Sequence, residues 1–582
     1  MSYGTQQLIS CFTFPFPSMN TLNQGRIPSP RILKRVNACE VYGIMHFGLN
    51  TFTDREWGYG DENPRLFAPA AFDAEQIVRA CRDGGLKGLV LVCKHHDGFC
   101  LWPTKTTTHN ISASPFRNGH GDLVKEVADA CRKYGLGFGI YVSPWDRNNA
   151  EYGTPRYLEL FREQLRELYT AYGPAFEVWF DGANGGDGYY GGARETRRID
   201  QSTYYDWPNT WQIVRDLQPD ACIFSDVGPD VRWPGNERGL ADHECFSSIT
   251  PKPAIPGGAP APGYMDYANS PCGNSDGAYF IPPECDVPLR PGWFYHQEQD
   301  GQQKSVRQLA QIYLRSVGCG GFLNLGIAPD KRGQLETGDV ERLRQFKKAV
   351  DLLNGPAIAE APFTTLHVGE ALTLKFSVQT VMNLLDMREE LDGCGEQLLA
   401  YRLEARKNGE WTTLLSGKAV GLRRMKALED TECDAIRLVV EATRDNTPVR
   451  LSLACRKVPR ELLEAEGDKA RIKARKDYQK LDITNTGDTV AATFNAPLTI
   501  RGFLFTPLMG LLYGLPEHYR FEVEVNGEWQ VCAEGEFANI KANPIPQEIH
   551  FPPVCATACR LVATRKALPA GYVAVEELGV LV

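Results

Sequence analysis

Between residues 40 and 355 the chain alternates two hydrophobic periods. Continuous apolar runs at 42–48, 86–93, 138–142, 176–180, 221–224 and 322–327 suit strands buried on both faces, as in a parallel sheet. Between them apolar residues recur every three or four positions. Asp73 stands as N-cap before Ala74, Ile77, Val78 and Cys81, and Gly84-Gly85 stops the pattern. Asp122 precedes Val124, Val127, Ala128 and Cys131, with Gly135 as the stop, and Thr154-Pro155 opens a helix carrying Leu158, Phe161, Leu165 and Leu168, closed by Gly173. Further helical periods cover 211–217, 309–317 and 340–353.

Repeated strand–helix units with apolar strands predict a parallel α/β fold. Polar residues follow the strands directly: His46, His95-His96-Asp97, Trp145-Asp146, Asp181 and Asp226. A TIM-like (β/α)8 barrel carries its chemistry at the C-terminal strand ends, so this placement favours one. A doubly wound sheet would want a glycine-rich phosphate turn after its first strand, and none is present. The sixth and seventh strands carry no clear pattern, and residues 250–292, rich in Pro and Gly, read as a long loop over the site.

After residue 355 the helical period gives way to short strand patterns at 372–378, 399–405 and 436–442. An internal repeat sets Tyr401 against Tyr519 and Trp411 against Trp529, each pair 118 residues apart, with Asn-Gly in both copies. The expected organisation is an N-terminal segment 1–39, a barrel 40–355, a β-sandwich module 356–456, a charged linker or exposed helix 457–477, and a second β-sandwich 478–582. Matching placement makes Trp411 and Trp529 expected core residues of the two sandwiches, with sugar binding by the modules as the alternative.

Composition narrows the class. A net charge of −9 gives no nucleic-acid footprint, and no apolar run is long enough to span a membrane. Met1 to Asn20 has no basic residue and a broken apolar stretch, so it is not read as a secretory signal; that alone points to the cytoplasm. Seventeen scattered cysteines without a C-x-x-C pair read as buried free thiols, not a disulfide framework or zinc site.

Eight of the ten tryptophans and seven of the ten histidines precede residue 300. Aromatic faces beside polar groups at strand ends suit a sugar. Trp211, inside a helical pattern, is expected to be packing. His95-His96-Asp97 offers metal ligands only if the strand ends there, and no H-x-x-x-H spacing supports it. No metal or cofactor is expected; a strand-end pair bonded to loops is the competing reading. Asp181 ends the run Glu177-Val178-Trp179-Phe180, and Gly182 follows it. Glu237 lies in Arg232-Trp233-Pro234-Gly235-Asn236-Glu237-Arg238-Gly239. Two carboxylates on neighbouring loops among aromatics are what glycoside hydrolysis needs, although an aspartate after a strand serves equally as a cap or loop anchor.

Several motifs then resemble the α-L-fucosidases of glycoside hydrolase family 29. They are Met45-His46-Phe47-Gly48-Leu49-Asn50-Thr51-Phe52, Glu56-Trp57-Gly58, Lys94-His95-His96-Asp97-Gly98-Phe99, Tyr141-Val142-Ser143-Pro144-Trp145, Val178-Trp179-Phe180-Asp181-Gly182-Ala183, Arg290-Pro291-Gly292-Trp293-Phe294-Tyr295-His296 and Leu323-Asn324-Leu325-Gly326. The resemblance covers residues 40–355 in order. It implies an exo-acting retaining α-L-fucosidase without metal or cofactor, acting on fucosylated oligosaccharides or glycans. Asp181 matches the nucleophile. His46, Glu56, Trp57, His95, His96, Tyr141, Trp179, Arg290 and Trp293 match the substrate-binding set.

The segment around Glu237 is similar to the subfamily that prefers α-1,3/1,4-linked fucose, and by that resemblance Glu237 matches the acid/base; Glu284 and Asp286 are the next candidates. The stretch 185–192 departs from the pattern as a longer Gly/Tyr-rich loop. Broad-linkage fucosidase action and a non-catalytic fucose-binding barrel are the alternatives, and the family also includes periplasmic and secreted members. A retaining pair is expected roughly 5–5.5 Å apart.

Overall fold

A computed structural model describes residues 25–466, 475–508, 510, 512–537 and 540–582. Eight parallel strands form the barrel: β1 Val41–Met45, β2 Gly88–Lys94, β3 Gly137–Val142, β4 Glu177–Trp179, β5 Cys222–Ser225, β6 Val231–Arg232, β7 Glu284–Pro288 and β8 Phe322–Ile327. Their order is β7-β8-β1-β2-β3-β4-β5-β6. A parallel bridge from Arg232 to Pro283 joins the two ends of this order.

The reason for the unbroken apolar runs is visible in β2. Leu89, Leu91 and Cys93 pack outward under the helices, while Val90 and Val92 join Tyr42, Ile44, Tyr141 and Trp179 in a separate inner cluster. Both faces are dry, so no polar position interrupts the strand. The outer helices include α1 Pro30–Ala38, α2 Leu49–Thr53, α3 Ala74–Asp83, α4 Leu123–Tyr134, α5 Pro155–Ala171, α6 Trp207–Leu217, α7 Val306–Arg315 and α8 Thr337–Leu353. Asp73 and Asp122 accept hydrogen bonds from Gln76 N and Lys125 N, each at 2.9 Å, and so cap α3 and α4 as their sequence predicts. Trp211 is buried beside Trp207 in the helix layer.

Two departures matter. Among the described residues no α-helix follows β5 or β6 before β7, and the chain from β6 to β7 is mostly irregular, with a single 3-10 turn at Tyr267–Asn269. The segment read as a loop at 250–292 contains β7. That strand escapes a hydrophobic search because it carries Glu284 and Asp286, both buried. The described part of the N-terminal segment, residues 25–39, is also structural. α1 places Arg35 across the N-terminal end of the barrel, in ion-pair contact with Glu177 and 3.7 Å from Glu284, with its guanidinium over Tyr42, Phe176 and Phe322.

The C-terminal region is two antiparallel sheets with matching strand orders. Strands Ala371–Glu389 and Arg424–Thr443 of the first correspond to Thr489–Pro507 and Gln547–Lys566 of the second. Each pair shifts register twice; such irregularities bend long strands, and each sheet has its own apolar cluster. Trp411 and Trp529 are not core residues. Trp529 is 39% exposed and Trp411 is half-buried. Arg437 covers the Trp411 ring at 4.1 Å and Arg560 covers Trp529 at 4.2 Å. The repeat preserves a surface cation–π pair, each ring covered by a guanidinium.

The charged stretch after the first sheet falls partly on 467–474, outside the described residues. Its beginning is docked: Leu462 is buried, and its carbonyl accepts a hydrogen bond from Gln311 of α7 at 2.8 Å. The described cysteines are free thiols, most of them buried. Among the described residues no helix is long and apolar enough to cross a membrane.

Candidate active site

A cavity of about 220 Å³ opens at the C-terminal end of the barrel, lined by residues from successive strand ends: His46 after β1, His95 and His96 after β2, Tyr141 on β3, Trp179 and Asp181 at β4, and Asp226 after β5. Trp233 and Glu237 follow β6, Asp286 lies on β7, and Trp293 follows it. This is below the ~300–1,000 Å³ of drug-sized pockets and suits a single small ring.

Asp181 accepts the Tyr141 hydroxyl at 2.8 Å on one oxygen and the Ala183 N–H at 2.7 Å on the other. The strand must release a carboxylate here and turn at once. A Cβ on Gly182 would collide with the Asp226 carboxylate, so only glycine fits behind it. Burial raises the Asp181 pKa, and its two donors pull it back down. Glu237 accepts the Trp293 indole N–H at 2.8 Å. Burial is the main force lifting its carboxyl above the usual range, with the charge of Asp181 adding to it and the indole opposing.

The histidines are neutral because burial disfavours the imidazolium. His46 and His96 are pushed down to about 3, and His95 also lies well below its ordinary value. Their tautomers follow from their partners. Asn50 Nδ2 donates at 3.3 Å to His95 Nδ1, which leaves the proton on Nε2. Ser143 gives its hydroxyl proton to the Trp145 carbonyl at 2.8 Å, so it accepts from His96 Nδ1 at 2.7 Å. His96 Nε2 therefore carries a lone pair, 3.8 Å from an Asp181 oxygen. The pair thus offers one donor and one acceptor, as a hydroxyl-bearing ring requires.

Aromatic faces complete the lining. Trp179 stacks on Phe224 at 4.0 Å and on Tyr141 at 5.1 Å. Trp293 lies 5.1 Å from His46, and Trp57, 36% exposed, stands at the mouth against His96 and Trp145.

Two residues expected to touch substrate do not line the cavity. Glu56 faces the loop behind it. Its carboxylate accepts from Trp293 N at 2.9 Å, Phe294 N at 3.2 Å and His296 Nε2 at 2.8 Å. Burial pulls His296 down, but Asp54 and Glu56 outweigh it and hold the ring up at about 10, as an imidazolium. Arg290 is buried, bonded to Asp339 at 2.8 Å and Asp300 at 2.9 Å. Both fix the segment that presents Trp293. Glu284 also faces away, tied to Trp179, Asn324 and Arg35. Asp286 does line the cavity, held by the Trp233 indole at 2.8 Å. Among the described residues, the histidine–carboxylate group tight enough for a metal ion is Asp54, His296 and Glu298, which does not include His95 or His96.

Sequence reasoning passed over Phe224, Asp226, Trp233, Tyr267, Lys541 and Ala542 as site residues, all of which line the cavity. Asp226 follows an apolar strand as Asp181 does, so a signal existed. It accepts from the Tyr267 hydroxyl and from Gly263 N at 2.9 Å, and burial raises it to about 6. Lys541 and Ala542 come from the second antiparallel sheet region, where no local signal exists.

A family model described as "Alpha-L-fucosidase" matches residues 34–352. The chain is 37% identical over 436 residues to "Alpha-L-fucosidase 1" of Arabidopsis thaliana, a match covering 69% of this chain and 82% of that protein. A glycoside hydrolase 29 family member from an unknown rumen bacterium superposes with a TM-score of 0.70 at 35% identity, covering 96% of this chain and 99% of the other. A fucosidase of the same family from Ruminococcus gnavus, solved in complex with fucose, gives 0.64 at 25% identity, covering 75% of this chain and 96% of its own. About a quarter of this chain therefore has no counterpart in that shorter structure.

Proposed function

From the premise that this chain belongs to the α-L-fucosidase family of glycoside hydrolases, we propose that its barrel is an exo-acting, retaining enzyme that removes terminal α-1,3/1,4-linked fucose from oligosaccharides or glycoconjugates. α-L-Fucosidase activity comes with the family; the linkage, the stereochemistry and the residue roles are our reading. The observation that carries the roles is the pairing in one cavity of Asp181, held by donors that favour its charged form, with Glu237, whose burial favours its protonated form.

In the first step an Asp181 oxygen forms a bond to C1 of fucose. The C1–O bond to the acceptor breaks, and the Glu237 proton goes to the departing oxygen. In the second step Glu237, now a carboxylate, takes a proton from water. The water oxygen bonds to C1, and the ester to Asp181 breaks. Two inversions at C1 give net retention. His95 Nε2–H and His96 Nε2 supply a donor and an acceptor for ring hydroxyls, with His46, Tyr141 and Trp179 around them. Trp293 offers an apolar face to the sugar's methyl group. Glu56 and Arg290 act by positioning Trp293. No step calls for a metal, so activity should survive EDTA.

Asp286 is the rival proton donor, because it lines the same cavity and burial holds its pKa well above the ordinary value. We assign the role to Glu237, whose Trp293 partner sits on the segment matched to fucose contacts. Assaying a panel of 1,3-, 1,4-, 1,2- and 1,6-linked fucosides tests the linkage. Equal turnover of all four would replace the narrow reading with a broad one, and binding without turnover would make the barrel a lectin.

A further inference from the structure

The second antiparallel sheet region touches the catalytic cavity and the loops around it at three points. Lys541 and Ala542, on the turn at residues 540–546, line it beside Trp57 and Glu237. The Ala542 carbonyl accepts the backbone N–H of Glu237 at 3.2 Å. The Glu536 carboxylate accepts the backbone N–H of Glu56, also at 3.2 Å. The sheet thus clasps both the loop that carries Glu237 and the loop that buttresses Trp293. Lys541 is set deliberately. Its ammonium is 2.7 Å from Glu517, which Arg565 also engages at 3.2 Å, and it lies 5.9 Å from the ring of Trp57. The Lys541 side chain remains 47% exposed. An ammonium has three hydrogens, and the contact to Glu517 uses one.

We propose that the 540–546 turn is the acceptor-side wall of the active site, with Lys541 a specificity-determining residue that donates hydrogen bonds to hydroxyls of the sugar from which fucose is cut. This rests on the reading of the cavity as a fucose site with Glu237 as the acid. The acceptor oxygen must face the acid that protonates it, so whatever lies beside Glu237 at the cavity mouth meets the acceptor. Here that is Lys541 and Ala542, with the exposed Trp57 ring 5.9 Å from the Lys541 ammonium. Residues 478–582 therefore shape substrate choice within the barrel's own site.

The test uses the full-length protein and compares kcat/KM on a fucosylated trisaccharide with kcat/KM on an aryl fucoside. Lys541→Ala should lower the ratio of the first to the second by ~3–10-fold, the worth of one exposed hydrogen bond, mainly through KM of the trisaccharide. Lys541→Arg, which keeps a donor, should restore most of it. A ratio that stays at the wild-type value, including the case where both substrates lose rate equally because the turn has merely shifted, overturns the proposal. If the wild-type chain cleaves neither substrate, the fucosidase reading itself fails and takes this one with it. If the wild type cleaves both and Lys541→Ala leaves the ratio unmoved, only the acceptor wall is lost.

Discussion

At the N-terminal end of the barrel Arg35 faces Glu177 and Glu284. At the C-terminal end Asp181, Asp226, Glu237 and Asp286 share one cavity, and the donors that hold them are tyrosine hydroxyls, indoles and backbone N–H groups. The same fold buries acids at both ends and treats them differently. A guanidinium against a carboxylate favours its charged form, although burial still raises Glu284 above its ordinary value, and taking the cation away leaves both acids stranded. Neutral donors only partly offset burial, so the four acids at the other end titrate high and stay able to take protons or attack carbon. One end sets a cation against its acids to close the barrel, and the other surrounds its acids with neutral donors.

The sharpest way to break the contrast is Asp181→Ala. Asp181 ends a strand at the cavity instead of filling the core. Turnover of an aryl fucoside should therefore fall by about 10⁴-fold or more, while circular dichroism and the unfolding midpoint hold. Near-normal activity with an unchanged fold would remove the nucleophile assignment.

Glu237→Ala should separate substrates by leaving group. A sugar alkoxide needs the proton and an aryl oxide hardly does, so the loss should reach about 10²–10⁴-fold on an oligosaccharide and be far smaller for the first step on an aryl fucoside. Without its base the second step slows, which should appear as a burst. Azide should then speed turnover and give the α-fucosyl azide, because two displacements retain configuration. Equal loss on both substrates with no azide effect would move the role to Asp286.

The opposite end gives the converse result. Arg35→Met leaves Glu177 and Glu284 buried with no cation between them, at a cost of about 3–5 kcal/mol. The loss should show as a lower unfolding midpoint, with kcat on an aryl fucoside falling much less than in Asp181→Ala. A stable Arg35→Met protein would mean that the acids there simply take up protons.

How far the sequence foretold this contrast differs between the ends. The C-terminal end was legible because apolar strands stop abruptly at polar residues: β2 at His95-His96, β4 at Asp181. It failed where that rule fails. β6 is two residues long, and β7 carries its acids inside the strand, so neither has the apolar run that marks a buried strand. Arg35 was invisible because, beside Arg31 and Lys34 in a short amphipathic helix, it looks like one more surface cation; only the tertiary fold lays it across the barrel. Lys541 was invisible for the same reason, some 300 residues from Glu237 in sequence yet beside the same cavity. The repeat that paired Trp411 with Trp529 located both rings correctly relative to each other, but periodicity cannot tell a buried ring from one covered by an arginine.

The smallest effect expected is the most discriminating for the proton donor. The Trp293 indole donates to Glu237, which favours the charged carboxylate and opposes the upward push of burial. Trp293→Phe keeps an aromatic face and removes that donor, so the Glu237 pKa should rise. The acid must be protonated for the first step, so activity is lost as pH climbs through its pKa. A higher pKa moves the alkaline limb of kcat/KM upward, by up to about one pH unit, the ~1.4 kcal/mol of a single hydrogen bond. The acid limb follows Asp181, which must be ionised, and activity is lost as pH falls through its pKa. That limb should stay where it is in Trp293→Phe and move up in Tyr141→Phe, which takes a donor from Asp181 instead. Trp233→Phe makes the same change at Asp286. If the alkaline limb answers to Trp233→Phe and ignores Trp293→Phe, Asp286 gives the proton; if it answers to Trp293→Phe, Glu237 does.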